Sequence, residues 1–421
     1  MGMTMTEKIL ARAGGVPNVK PGDLVVTDVD TAVFIDNAFL PAYWREMLKL
    51  ADPEKIVVVF DHRAPASDRV SARSHVVGRE FVKRFGIKRF HDVGADVGIA
   101  HVVVSDRAYA LPGTLLVCAD SHTCSGGAFN CAARGVGAPD MIYAATTGKA
   151  WFRVGETVRY DLTGRMGPGV TTKDVFLHIA NDYGDHANQN VEFGGSGLQH
   201  LSINARRTIA TMGAEISADF AIFESDQRLE DYIRSRNKTP FEAKNPDADA
   251  VYKHRRTIAL SEMEPLVALP DQVVNNAVPV GKVAGEKIDQ AFIGSCANGT
   301  LDDFAIAARV LKDKHVADGV RLIVTPGSQA IYREALRAGY IQIIAEAGAV
   351  ITNATCGACG GGHLGVLGPG ETCITASTRN FKGRMGDPSA RIYMASPATV
   401  AASAIAGVIT HPGNVVTEVL S

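Results

Sequence analysis

Lys55-Ile56-Val57-Val58-Val59-Phe60-Asp61-His62 is an apolar, β-rich run that ends on a carboxylate and an imidazole. Beyond it, Asp68 to Phe85 carries Val70, Val77, Phe81 and Phe85 at helical spacing, so these four are expected on one face. A strand followed by an amphipathic helix is half of a βα unit. The same alternation recurs along the chain. Strands are predicted at Thr114 to Ala119, Lys287 to Ile293, Val320 to Thr325 and Arg391 to Met394, and helices at Asp140 to Ala150, Leu301 to Lys312 and Ser328 to Ala338. This pattern predicts an α/β chain with mainly parallel sheets. Ligands of such sheets collect beyond the carboxyl ends of the strands. Asp61-His62, Asp120-Ser121-His122 and Cys296 all stand at such ends.

A chain of 421 residues is long enough for about two to four domains. Gly155 to Gly169 sets Gly and Pro in a polar context. Glu262 to Pro279 carries three prolines after a charged stretch. Boundaries there predict three α/β domains, 1–157, 158–262 and 263–421. The net charge of −2 and the absence of a basic block argue against a nucleic acid or a membrane surface as partner. The longest apolar runs are too short to span a bilayer. The first residues lack the apolar core of a signal peptide, and their formal match to a myristoylation pattern is a weak signal. Seven cysteines, an odd number in a long chain, argue against a disulfide framework and for a reducing compartment. The expected location is the cytoplasm.

Three thiols lie in small-residue turns, at Gly294-Ser295-Cys296-Ala297-Asn298-Gly299 and Cys356-Gly357-Ala358-Cys359-Gly360-Gly361-Gly362. Small neighbours let backbone approach a bulky inorganic group closely. Three thiolates without an obvious fourth suit a cubane iron–sulfur cluster with one iron left open for chemistry. A C-x-x-C pair alone is also compatible with a redox pair, with half of a zinc site completed by His363, or with two structural thiols. Cys118, Cys124, Cys131 and Cys373 read as packing residues.

Asp120-Ser121-His122-Thr123 would aim a carboxylate, a hydroxyl and an imidazole at one place, and such groups move protons. A capped turn is the plainer account. Asp61-His62 has the same layout. His101 is a lone histidine, and Glu192 sits between apolar and glycine positions in Val191-Glu192-Phe193-Gly194-Gly195. Arg379 and Arg384, five apart in a glycine-containing loop, could grip a dicarboxylate; a solvated basic loop is the alternative.

Taken together these segments resemble the aconitase superfamily, and most of all its 3-isopropylmalate dehydratase large-subunit family. The resemblance runs nearly end to end. It rests on Val59-Phe60-Asp61-His62, Asp92-Val93-Gly94, Ala119-Asp120-Ser121-His122-Thr123-Cys124, Ile293-Gly294-Ser295-Cys296, Cys356-Gly357-Ala358-Cys359, Ser396-Pro397-Ala398-Thr399, and the run from Arg379 to Pro388. It implies three α/β domains around a central iron–sulfur site, with a [4Fe–4S] cluster on Cys296, Cys356 and Cys359. Asp61, His62, Asp120, Ser121 and His122 would form the acid side, supported by His101 and Glu192. Arg379 and Arg384 would hold the carboxylate of a small dicarboxylic hydroxy acid. Single-chain relatives carry a further swivelling domain that is missing here, so a separate small subunit is expected as partner. Ala297, Thr300, Val102, Thr378 and Gly360 depart from the family's usual residues. They leave open which substituted malate is used: isopropylmalate, 2,3-dimethylmalate, homocitrate, or the maleate and citraconate hydration substrates. An RNA-binding cluster sensor and a zinc-holding scaffold are the readings from other classes; the near-neutral charge opposes the first.

Overall fold

The computed structural model describes residues 2–415. The chain divides into two compact units. The first comprises 2–93, 100–163 and 186–258, and the second 94–99, 164–185 and 259–415.

The first unit holds a five-stranded sheet, parallel throughout, in the order Arg89–His91, Ile56–Val59, Thr31–Ile35, Leu115–Cys118, Ala132–Gly135. The strand Ile56–Val59 is buried at every position. That explains its unbroken apolar run, because a parallel strand is covered on both faces. A four-stranded sheet runs Ala221–Phe223, Gln189–Gly194, Glu156–Thr163, His254–Ala259. Leu24–Asp28 and Lys149–Arg153 form an antiparallel ribbon. In the second unit a seven-stranded sheet runs Ala277–Pro279, Leu266–Ala268, Arg391–Ala395, Thr372–Thr375, Gln290–Ile293, Arg321–Val324, Val350–Ile351. Its last five strands are parallel, and the first two are antiparallel additions.

All five strands expected from the sequence are present, as are the four helices. Helix Arg69–Phe85 starts on Asp68, whose carboxylate caps the Ser71 amide, and stops at Gly86 in the left-handed region. Its buried face differs from the expectation. Ser71, Ser74, His75, Gly78 and Phe81 face inward, and Val70 is 54% exposed. The reason is the aromatic floor beneath the helix, formed by Phe34, Phe39 and Phe60, on which the helix's own Phe81 packs. A floor of large rings takes small residues above it. His75 stacks on Phe60 at 4.4 Å between ring centroids. A methyl group on Gly78 would lie 2.7 Å from Phe60 Cζ. Gly78→Ala is therefore expected to destabilise. Overpacking costs about 1–3 kcal/mol, against about 1 kcal/mol returned by helix propensity. A thermal melt with an unchanged or raised midpoint would refute this.

Helix Ala138–Thr147 ends earlier than expected, at Gly148, and Lys149 already begins a strand. The helix after Ser396 is Pro397–Ala406; part of the tail expected beyond it, from residue 416, lies outside the described residues.

Candidate active site

In the first unit three strand ends bring carboxylates and imidazoles together. Asp61 follows Ile56–Val59 and Asp120 follows Leu115–Cys118, so parallel pairing places both at the same edge of one sheet. Asp61 is fully buried. One oxygen accepts the Ala100 amide at 2.8 Å and the other faces His62 Nδ1 at 2.7 Å. His62 Nε2 lies 3.3 Å from Asp120 Oδ2. Asp120 Oδ1 takes His101 Nε2 at 2.8 Å and the His122 amide at 2.8 Å. His122 Nε2 continues to Glu215 Oε1 at 2.9 Å. Five of the expected residues thus form one chain of contacts, Asp61–His62–Asp120–His101 and His122. Ser121 stands on the exposed side of the same turn.

Two carboxylates that sequence reasoning passed over belong to this network. Asp36 follows strand Thr31–Ile35, accepts the amides of His62 and Arg63, and lies 3.5 Å from His75 Nε2. Its signal was available: an apolar strand ending on an aspartate, as at Asp61 and Asp120. Glu215 comes from the short helical turn Gly213–Ile216, and nothing local sets it apart from other glutamates. Glu192 is placed elsewhere. Its oxygens accept from the Thr6 amide and hydroxyl and from Tyr252. Among the network's contacts the glutamate at His122 is Glu215.

The charges follow from these partners. Burial would raise the Asp120 carboxyl, but His101, His122 and His62 outweigh it and hold it well below the usual carboxylate range. Asp61 goes the other way: its burial dominates and raises it despite His62. Burial would lower His122, yet Asp120 and Glu215 together raise it. A raised histidine stabilises the fold fully below its unfolded value of about 6.5 and loses that contribution as pH climbs through the folded one. Glu215→Gln is accordingly expected to cost about 1.5–3 kcal/mol near pH 6, the worth of a hydrogen bond to a charged group. The gap to the native protein should narrow at alkaline pH. Paired denaturation curves across that range check it, and a gap that widens with pH would contradict it.

In the second unit the three thiols follow parallel strands of the seven-stranded sheet, Cys296 after Gln290–Ile293 and the pair after Val350–Ile351, with Arg321–Val324 between those two strands. Cys296 follows Gln290–Ile293 on a backbone that turns through Ser295 at φ +76°. Such an angle is costly for a residue with a Cβ. Cys356 and Cys359 bracket one helical turn, closed by the Cys359 amide on the Cys356 carbonyl at 3.3 Å. Gly357, at φ +62°, packs so closely on Thr325 that a Cβ would meet its hydroxyl at 2.7 Å. Thr325 immediately follows the neighbouring strand Arg321–Val324. Cys359 Sγ is 3.7 Å from the Thr378 hydroxyl, just beyond strand Thr372–Thr375, and receives Arg384 Nη2 at 3.5 Å. The segments that follow strands Arg321–Val324 and Thr372–Thr375 therefore both touch the Cys356–Cys359 turn.

This cradle fits an iron–sulfur group. The seven cysteines are all unbridged. Cys296 and Cys359 are buried and Cys356 is half-buried. Side chains around them are small, and at Gly360 a Cβ would meet open space. Arg384 offers a cation to sulfur, which suits a thiolate ligand. The buried Asn298 Oδ1 and Ser377 Oγ have no hydrogen-bond partner among the described residues. Arg379 is half-buried in the turn before Asn380. The guanidinium of Arg384, also expected to hold substrate, is engaged with the Cys359 sulfur and the Phe381 ring.

Among the departures from the family pattern, Thr300 works locally with Asp303 to cap helix Leu301–Leu311. Val102 is buried in the helix that begins at Ala100.

The chain is similar to known proteins along nearly its whole length. The chain is 53% identical to the 3-isopropylmalate dehydratase large subunit of Mycolicibacterium smegmatis over 418 residues, covering 99% of both chains. It is 42% identical to the probable 3-isopropylmalate dehydratase large subunit of Methanothermobacter thermautotrophicus, covering 98% of this chain and 100% of that one. It is 43% identical to the probable methanogen homoaconitase large subunit of the same organism, covering 97% of each. Residues 45–407 match the family described as the aconitase family (aconitate hydratase), and the chain belongs to that family.

Proposed function

We propose that this chain is the large subunit of a cytoplasmic 3-isopropylmalate dehydratase, which interconverts 2- and 3-isopropylmalate by dehydration and rehydration on the route to leucine. One observation carries the choice of substrate: the relative that is 53% identical over 99% of both chains bears that name. Cys296, Cys356 and Cys359 would hold a [4Fe–4S] cluster. When bound, such a cluster supplies a Lewis acid for a hydroxyl and a carboxylate. Hydroxide is a poor leaving group, so it departs with a proton. The network of Asp61, His62, His101, Asp120 and His122 is the donor side. Within it Asp120 and Glu215 outweigh burial at His122 and favour its protonated form. Arg379 would pair with a substrate carboxylate and stabilise charge that develops as the neighbouring C–H proton leaves. Glu192 is not given a role in this network.

The base and further substrate contacts would come from a small swivelling-domain subunit. We also keep the division into three domains at 157 and 262; the five-, four- and seven-stranded sheets fall mainly within those three spans. Homocitrate-type substrates are the second reading, favoured by the 43% identical homoaconitase relative.

The test is to co-express the chain with the small subunit, load the complex with iron and sulfide, and compare isopropylmalate, homocitrate and dimethylmalate. Turnover of isopropylmalate at least a hundredfold more efficient than the others is expected. Preference for another malate would replace the substrate, and full turnover without the small subunit would remove the partner.

A further inference from the structure

Lys173 is fully buried although it carries an ammonium group. It lies in the first turn of helix Thr172–Tyr183, where its backbone is fixed twice. Its amide donates to the Thr171 hydroxyl at 3.2 Å. The Asp174 carboxylate next to it accepts the Thr171 amide at 2.8 Å and the Leu266 amide at 3.0 Å. The side chain is thereby aimed, and its Nζ donates to the Ser377 carbonyl at 2.9 Å.

That carbonyl belongs to the segment that touches the thiols. Ser377 leads directly into Thr378, whose hydroxyl is 3.7 Å from Cys359 Sγ, and then into Arg379. On the far side Asn380 is anchored as well. Its side-chain amide donates to the Leu269 carbonyl at 2.6 Å and the Gln272 carbonyl at 3.2 Å, and its backbone carbonyl accepts the Asp271 amide. Thr378 and Arg379 are thus the two residues held between a pair of anchors. The Lys173 anchor is a direct bond made in the interior, where water does not compete for the Ser377 carbonyl.

We propose that Lys173 is a positioning residue. Its ammonium, bonded to the Ser377 carbonyl, holds Thr378 against the Cys359 sulfur and sets the place of Arg379. The inference rests on the cluster and dehydratase roles proposed above. Loss of this anchor leaves every thiol present, but lets the segment after strand Thr372–Thr375 move away from the sulfur and takes the carboxylate-binding arginine with it.

The experiment uses the cluster-loaded complex with its small subunit and compares Lys173→Met and Lys173→Arg with the native protein. Three readings are taken: the rate of iron loss to a chelator, the EPR spectrum of the reduced cluster with and without isopropylmalate, and KM against kcat. Lys173→Met is expected to lose iron at least tenfold faster, to show a smaller substrate-induced EPR change, and to raise KM more than it lowers kcat. Lys173→Arg should restore most of each. If Lys173→Met fails to fold, Lys173→Gln is read in the same way, because its amide sits one bond shorter on the chain and stops short of the Ser377 carbonyl. Native rates of iron loss and a native EPR response in the folded variant would overturn the inference. A native complex that takes up no iron, or loads but turns over no malate, would instead sink the function proposed above.

Discussion

Asp120→Asn is expected to lower kcat by about 10²–10⁴-fold, the range that a positioned proton-transfer group supplies, while iron content stays at the native level. The carboxylate of Asp120 is the hub of the imidazole network. His101 Nε2 is 2.8 Å away, His62 Nε2 3.3 Å, and the His122 amide donates to it at 2.8 Å. An amide in that place has one acceptor oxygen where the carboxylate has two, and its NH2 would face a ring nitrogen that needs an acceptor. The protonated form of His122 loses one of the two charges that favour it. Stability falls too, by about 3–5 kcal/mol if the pair behaves as a broken buried ion pair. The pH sense follows from a depressed carboxyl. Its contribution is complete above the unfolded value of about 3.9 and disappears only as pH falls through the lower folded value. The gap between native protein and variant should therefore persist unchanged down to about pH 4. Steady-state kinetics on the loaded complex decide the matter: a kcat within threefold of native would remove Asp120 from the acid side.

Cys359→Ser is expected to abolish the visible absorbance of the cluster and reduce activity to background, with the fold retained. Serine is nearly isosteric with cysteine, and residue 359 is 5% exposed, so packing changes little. A hydroxyl does not replace a thiolate as a soft ligand. The control is Cys373→Ser. That thiol lies inside strand Thr372–Thr375, and burial first of all pushes it up to about 12. A thiol so reluctant to ionise suits packing rather than ligation. The control should keep about four iron and four sulfide per chain, as one cubane requires. Equal loss of iron from both variants would show that general damage, not ligand removal, is responsible. One equivalent of zinc in the native protein would favour the scaffold reading.

The parts of the site that sequence alone exposed are those built by local rules. Apolar runs of strand length ending on Asp61, Asp120 and Cys296 marked the sheet edges, and each observed strand ends within two residues of its expected end. The two cysteine turns were visible because small residues and glycines crowd around the thiols. Family membership followed from several such segments in order, and comparison over residues 45–407 bears it out. What stayed hidden was pairing. Glu192 and Glu215 look alike in the sequence, each a carboxylate among apolar and glycine residues. Only the fold sends one to Thr6 and the other to His122, 93 positions away in the chain.

The inward face of helix Arg69–Phe85 makes the same point with packing instead of charge. Its spacing marks Val70 for burial, but the side that fits an aromatic floor is the one with serines and Gly78. Strand ends, turns and thiol spacing were set by neighbours along the chain, where backbone sterics and period decide. The partners of Asp36, Glu215, Lys173 and Gly78 were set by segments far apart in sequence. Which of them meet depends on strand order, and no local propensity encodes that.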